Sequence, residues 1–143
     1  MSSPSPASHR TAPGAPGSAP LASVTRREDD GLMIAIVEGE VDASNATEIG
    51  RELSDISNRA LGLVVDLGRV GHLDSTGIAL LYELHIRLGR RGQGLAVVAP
   101  AGGAARRVLE LTAFDTRTSV TEDLDGAVAA VRSNGSDYSP ETA

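Results

Sequence analysis

The sequence predicts a single α/β domain, built on a central mixed and largely parallel sheet of four to five strands with about four helices. Three observations carry that expectation. Strand patterns alternate with helix patterns in the order β-β-α-β-α-β-α-(β)-α, which calls for parallel strands joined by helical crossovers. Two segments, Leu61–Leu67 and Gly94–Ala99, are continuous aliphatic runs of the kind buried on both faces of such a sheet. No proline lies between Pro20 and Pro100, so regular structure can run through that stretch uninterrupted. A chain of 143 residues suits one domain and not two.

Each element has its own local reason. Ser23–Glu28 and Leu32–Val37 read as a hairpin, because Asp30-Gly31 supplies the turn between them. Asp42-Ala43-Ser44-Asn45 offers several helix caps ahead of Ala46, Ile49, Leu53 and Ile56, whose spacing marks one helix face. Leu61–Leu67 is the first buried strand. A helix follows over Ser75–Arg90, with Gly77, Leu80, Leu81, Leu84 and Leu88 on one side and Arg87, Arg90 and Arg91 near its negative end. Gly94–Ala99 is a second buried strand, stopped by Pro100. Ala104–Ala113 reads as a helix with Val108 and Leu111 inward and Arg106-Arg107 on a solvated face. Thr118–Val120 adds a short strand, and Thr121 caps a last helix through Leu124, Val128 and Val131.

Composition sets the limits on function. Aromatic residues are 2 % of the chain, so the core is aliphatic. There is no cysteine, which removes disulfides, thiolate metal sites and cysteine nucleophiles. Every cationic side chain is arginine. Without lysine there is no Walker A loop, no Schiff-base chemistry and no receiver domain of the aspartyl-phosphate type. A net charge of −6 argues against nucleic acid or an anionic membrane as a direct partner. Residues 1–22 hold five of the seven prolines among Ser, Ala and Gly. They read as a disordered tail, followed by the folded domain over residues 23–132 and a flexible C-terminal tail over residues 133–143. No export signal is visible, so the cytoplasm is the expected compartment.

In open α/β sheets, function collects beyond the carboxyl ends of parallel strands. Two polar loops are expected there, Gly39–Ser44 and Gly71–Gly77. Ser75 opens a helix. Its type and place fit an N-cap first; a sharper reading, compatible with that one, is a phosphoacceptor whose phosphate would meet the positive helix end. It has no Gly-x-Ser-x-Gly elbow and no base nearby except His72, so it is not read as a hydrolase nucleophile. Asp66 ends a buried strand, where carboxylates commonly bind local backbone N–H groups. His9, His72 and His85 lack metal-site spacing, His85 being read as partly buried or bonded to a neighbour. Composition and spacing thus describe a binding or signalling domain with no catalytic residue, no cofactor and no metal.

The block Val64–Leu81, with Asp74-Ser75-Thr76-Gly77 after a buried strand, resembles the centre of STAS domains, specifically the anti-sigma factor antagonists. Gly39-Glu40-Val41-Asp42 is similar to that family's upstream turn, and Arg107–Thr112 to its third helix. The resemblance spans roughly Ser23–Val131 and implies a STAS-like single domain. It also implies a partner-switching protein. The unphosphorylated form would bind an anti-sigma factor serine kinase, phosphorylation on Ser75 would release it, and a PP2C-type phosphatase would reset it. Asp42, Ser44, Asp74, Ser75, Thr76 and Gly77 are the partner-binding residues this implies, in a monomer or weak dimer. A scaffold subunit of a stressosome-like assembly or of a lipid ABC transporter is the alternative use of the same fold. A small nucleotide-binding enzyme using the Gly71–Gly77 loop ranks last.

Overall fold

The computed structural model describes residues 21–137. Five strands and four helices follow in order: β1 (Ala22–Asp29), β2 (Leu32–Val41), α1 (Ala46–Ser57), β3 (Gly62–Leu73), α2 (Ser75–Arg90), β4 (Gly94–Val98), α3 (Ala104–Leu111), β5 (Ser119–Thr121) and α4 (Leu124–Asp137). The strands lie side by side in chain order. β1 is antiparallel to β2 through the Asp30-Gly31 turn, where both residues have positive φ, and all later pairs are parallel. The expected α/β class and mixed sheet are therefore present.

That strand order decides where the helices go. Each crossover from β2 to β5 steps the same way along the sheet, and a right-handed crossover then places α1, α2 and α3 on one face. Alternation along the strands feeds two cores. Ala35 and Val37, Leu63 and Val65, and Leu95 and Val97 meet the three helices, together with Leu53, Leu84, Leu88, Leu109 and Phe114. The alternate residues Leu32, Ile34, Val64, Ala96 and Val98 meet Ala127 and Val131 of α4 on the other face. The central strands are buried on both sides, as their continuous aliphatic runs require.

Several boundaries differ from the sequence expectation, each for a physical reason. Both central parallel strands run further, β2 to Val41 and β3 to Leu73. The register jumps between Ile36/Glu38 and between Gly39/Glu40, and each time β3 carries one residue more than β2. Gly68 and Gly71 fall within these two jumps. The glycines that read as a loop therefore mark β-bulges inside a strand. α3 turns Leu109 inward and leaves Leu111 76 % exposed, the reverse of the expected Leu111 contact. Val108 is only half-buried. Arg106 is not on a solvated face: its Nη2 lies 2.7 Å from Glu122 Oε2, and its side chain is 14 % exposed. Thr121 does not cap α4; Asp123 does, its Oδ1 accepting from Gly126 N at 2.8 Å.

The proline-rich segment lies outside the described residues except for Leu21 and Ala22, with the latter opening β1. At the other end α4 continues to Asp137, so residues 133–137 of the expected tail are helical; residues 138–143 lie outside the description.

Candidate functional site

The candidate site sits at the carboxyl ends of β2 and β3, which the parallel register holds together. Val41 pairs with Leu73, so Asp42 and Asp74 leave adjacent strands side by side, and Asp74 N donates to Val41 O at 3.3 Å. The two turns that follow are built alike. In the first, Asp42 Oδ1 accepts from Ser44 N at 2.9 Å and from Ser44 Oγ at 2.6 Å. In the second, Asp74 Oδ1 accepts from Thr76 N at 3.0 Å and from Thr76 Oγ1 at 2.5 Å. Each is an Asx turn closed by a hydroxyl two residues on.

The helices begin differently. Asp74 is itself the N-cap of α2, also accepting from Gly77 N at 3.4 Å. This corrects the expectation that Ser75 caps the helix. A carboxylate at that position accepts more strongly than a serine hydroxyl and complements the helix dipole. Ser75 is left as the first helical residue, exposed, and its hydroxyl has no hydrogen bond among the described residues. In the first turn Asn45 precedes α1 without a side-chain cap. Its Oδ1 accepts from Asp42 N at 3.0 Å and its Nδ2 donates to Glu40 O at 2.8 Å, fixing the turn on the strand end.

Hydrogen bonding sets the electrostatics here. The Ser44 hydroxyl, then the Ser44 amide, holds Asp42 below the ordinary carboxylate value of 3.8, against some desolvation and the nearby Asp74 charge. The Thr76 hydroxyl is the largest cause of the same depression at Asp74, followed on that side by the amides of Gly77 and Thr76. His72 favours the charged form of both. It lies in β3 opposite Glu40 and not in a loop. Two carboxylates thus stay ionised beside one free hydroxyl.

Gly77 has a packing role. A Cβ there would run into the Leu73 side chain and reach within 3.2 Å of Val41 Cγ1, so only glycine lets α2 start this close to both strand ends. Asp66 does bind a local amide, accepting from Gly68 N at 2.8 Å. His85 lies in the second half of α2, its Nδ1 2.9 Å from Thr118 Oγ1, and burial then Arg117 hold its pKa below 6.5. Sequence reasoning missed the Arg106–Glu122 pair, which ties α3 to the end of β5; Glu122 Oε1 also accepts from Ala101 N at 2.9 Å. No grouping of three or more His, Cys, Asp or Glu able to hold a metal occurs among the described residues.

A family model described as "Mlab, STAS domain" matches residues 24–129. The chain belongs to the STAS family. Its relatives include the Bordetella bronchiseptica protein named "Putative anti-sigma factor antagonist BtrV", 28 % identical over 110 residues, which cover 76 % of this chain and 94 % of that one. A crystal structure of an anti-sigma factor antagonist from Mycobacterium paratuberculosis is 32 % identical with a TM-score of 0.72, covering 82 % of this chain and 97 % of the other. The Bacillus cell fate determinant SpoIIAA in its phosphorylated form shares the fold, with a TM-score of 0.54 at 13 % identity over 71 % of this chain and 93 % of that one. The STAS domain of this chain is of the anti-sigma factor antagonist kind, a regulatory domain and not an enzyme.

Proposed function

We propose that this STAS domain antagonises an anti-sigma factor and that Ser75 is the switch. The unphosphorylated domain binds an anti-sigma factor serine kinase through Asp42, Ser44, Asp74, Ser75, Thr76 and Gly77. Transfer of phosphate to Ser75 ends that contact, and a PP2C-type phosphatase restores it. The observation that carries this reading is the division of labour in the second turn. Asp74 does the capping and Thr76 is bonded to Asp74, so Ser75 alone presents a free, exposed hydroxyl. A phosphate there adds about −1.5 to −2 charges beside two ionised carboxylates, at the helix end that tolerates an anion. The fold is kept while the contact surface gains negative charge and hydration. The names of the Bordetella and Mycobacterium relatives and the phosphorylated form of the Bacillus protein support it. Permanent scaffolding, in a stressosome-like assembly or beside a lipid transporter, needs no phosphoacceptor, so the exposed Ser75 favours switching.

The deciding experiment is intact mass and peptide mapping after incubation with ATP and the cognate kinase. One phosphate on Ser75, absent from Ser75→Ala, is the expected result. Phosphate on Thr76, or no phosphate at all, would overturn the reading.

A further inference from the structure

Away from Ser75, the second half of α2 holds the last strand of the sheet in place. His85 lies ten residues beyond Ser75, about 15 Å along the helix. Its Nδ1 is 2.9 Å from Oγ1 of Thr118, which is buried and leads directly into β5. One turn earlier Tyr82 meets Phe114 edge to face, the ring centroids 4.8 Å apart. Tyr82 and His85 share one face of α2 and so clamp both ends of the Phe114–Thr118 segment. That segment is a weak part of the fold. It follows Ala113, whose φ of +59° is a left-handed conformation costly for alanine. It continues as a single 3-10 turn, Phe114–Thr116, and delivers a three-residue edge strand paired to β4 on one side. Elements of this kind open at the low end of a protein's range of local stability.

The surroundings of His85 suit a neutral ring and penalise a charged one. A recess of about 220 Å³ opens beside the bond. The start of β4 lines it with Gln93, Gly94 and Leu95, and the approach to β5 with Arg117, Thr118 and Ser119. Besides His85 itself, Arg117 is the one charged side chain among the described residues lining it, and none of them is acidic. On α2, Glu83 and Arg87 line a separate groove toward α1.

We propose that His85 is an acid-sensitive latch: the neutral imidazole holds Phe114–Thr118 and β5 against α2, and a proton on the ring releases them. The hydrogen bond alone does not select the neutral ring, because the Thr118 hydroxyl can turn to donate or to accept. Charge selects it. An imidazolium here is half-buried beside the Arg117 guanidinium, with no carboxylate in the recess to offset either. Once the segment leaves, the ring returns to water and to its ordinary value near 6.5. Burial and then Arg117 hold it below that value in the closed form, so the closed form binds fewer protons than the open one. The latch is fully engaged above about pH 6.5 and weakens as pH falls through the closed-form value. Release bares the edge of β4 at Ala96–Val98.

Amide hydrogen exchange of the full chain between about pH 5 and 7.5, with the His85 ring followed by NMR, tests this. The reporters are Thr118 N, bonded to Phe114 O, and Ala99 N, bonded to Thr121 O. Corrected for intrinsic exchange, opening at both should rise several-fold toward the acid end, in step with titration of the ring. Low urea should leave that opening unchanged, as for a local event, while Val65 in the buried centre of β3 exchanges by the urea-sensitive global route. His85→Asn should make the opening independent of pH. Arg117→Gln, at an exposed site that keeps the fold, should move the ring's midpoint up toward 6.5 and shrink the rise. The proposal is overturned by a ring that titrates at or above 6.5, or by opening that ignores its titration. It is equally overturned by opening that follows the urea dependence of Val65, by a pH effect that survives His85→Asn, or by an Arg117→Gln chain that behaves as the wild type.

Discussion

The turns after β2 and β3 are near copies with different outcomes. Both have an aspartate at a parallel strand end, both close on a hydroxyl two residues later, and both lower the pKa of that aspartate by the same bond. The residue between aspartate and hydroxyl is Ala43 in one turn and Ser75 in the other. The second turn also feeds its helix directly, whereas α1 starts only at Ala46. The comparison teaches that a hydroxyl bonded to a carboxylate is committed to structure. Only the residue between them is free for chemistry, and only in the second turn is it a serine.

The largest effect should come from charge at that middle position. Phosphorylated Ser75 should bind the anti-sigma kinase on the order of 100-fold more weakly, equivalent to ~2.8 kcal/mol, and Ser75→Asp should reproduce part of this. Calorimetric titration measures both, and an unchanged Kd for Ser75→Asp would separate charge from the switch. Next in size are the glycines of the two helices. Gly77→Ala should cost about 1–3 kcal/mol through the overpacking of Leu73. Gly50→Ala should instead stabilise by ~0.5–1 kcal/mol, because its Cβ would meet only Leu80 at 3.6 Å inside a helix. Urea unfolding of the two variants should move in opposite directions.

The acid limb of stability sharpens the comparison further. Asp42 and Asp74 both have native pKa values below 3.8, so folding favours their ionised forms. That stabilisation is complete above the unfolded value near pH 4 and is lost as pH falls through the native values. Asp74→Asn keeps an acceptor at the cap but removes the titration, so its urea midpoint should fall less steeply below about pH 4 than the wild type's. An identical slope would mean that the Thr76 bond does not favour the charged carboxyl. The smallest effect belongs to Ala43→Ser, which places a hydroxyl at the matching position of the first turn. Stability should change by less than about 0.5 kcal/mol at this exposed site, and kinase treatment should add no second phosphate.

Much of the fold was legible in the chain because it rests on local pattern. The Asp30-Gly31 hairpin, the aliphatic runs of β3 and β4, the apolar face of α1 and the alternation that demands parallel crossovers are all short-range signals. The Asp74–Gly77 motif was legible as the opening of a helix, although its cap falls on Asp74 and not on Ser75. What needed the tertiary structure was every feature that depends on a neighbouring strand. Gly68 and Gly71 look like turn residues until β2 lies alongside and makes them bulges. Leu109 and Leu111 are both leucines on one short helix, and only the position of β3 and Phe114 decides which is buried. That Asp42 stands next to Asp74 turned on the strand register, which pairs Val41 with Leu73. Sequence spacing determines which groups are available; the pairing of distant strands decides which of them are already spoken for, because hydrogen bonds and close packing are settled by neighbours in space.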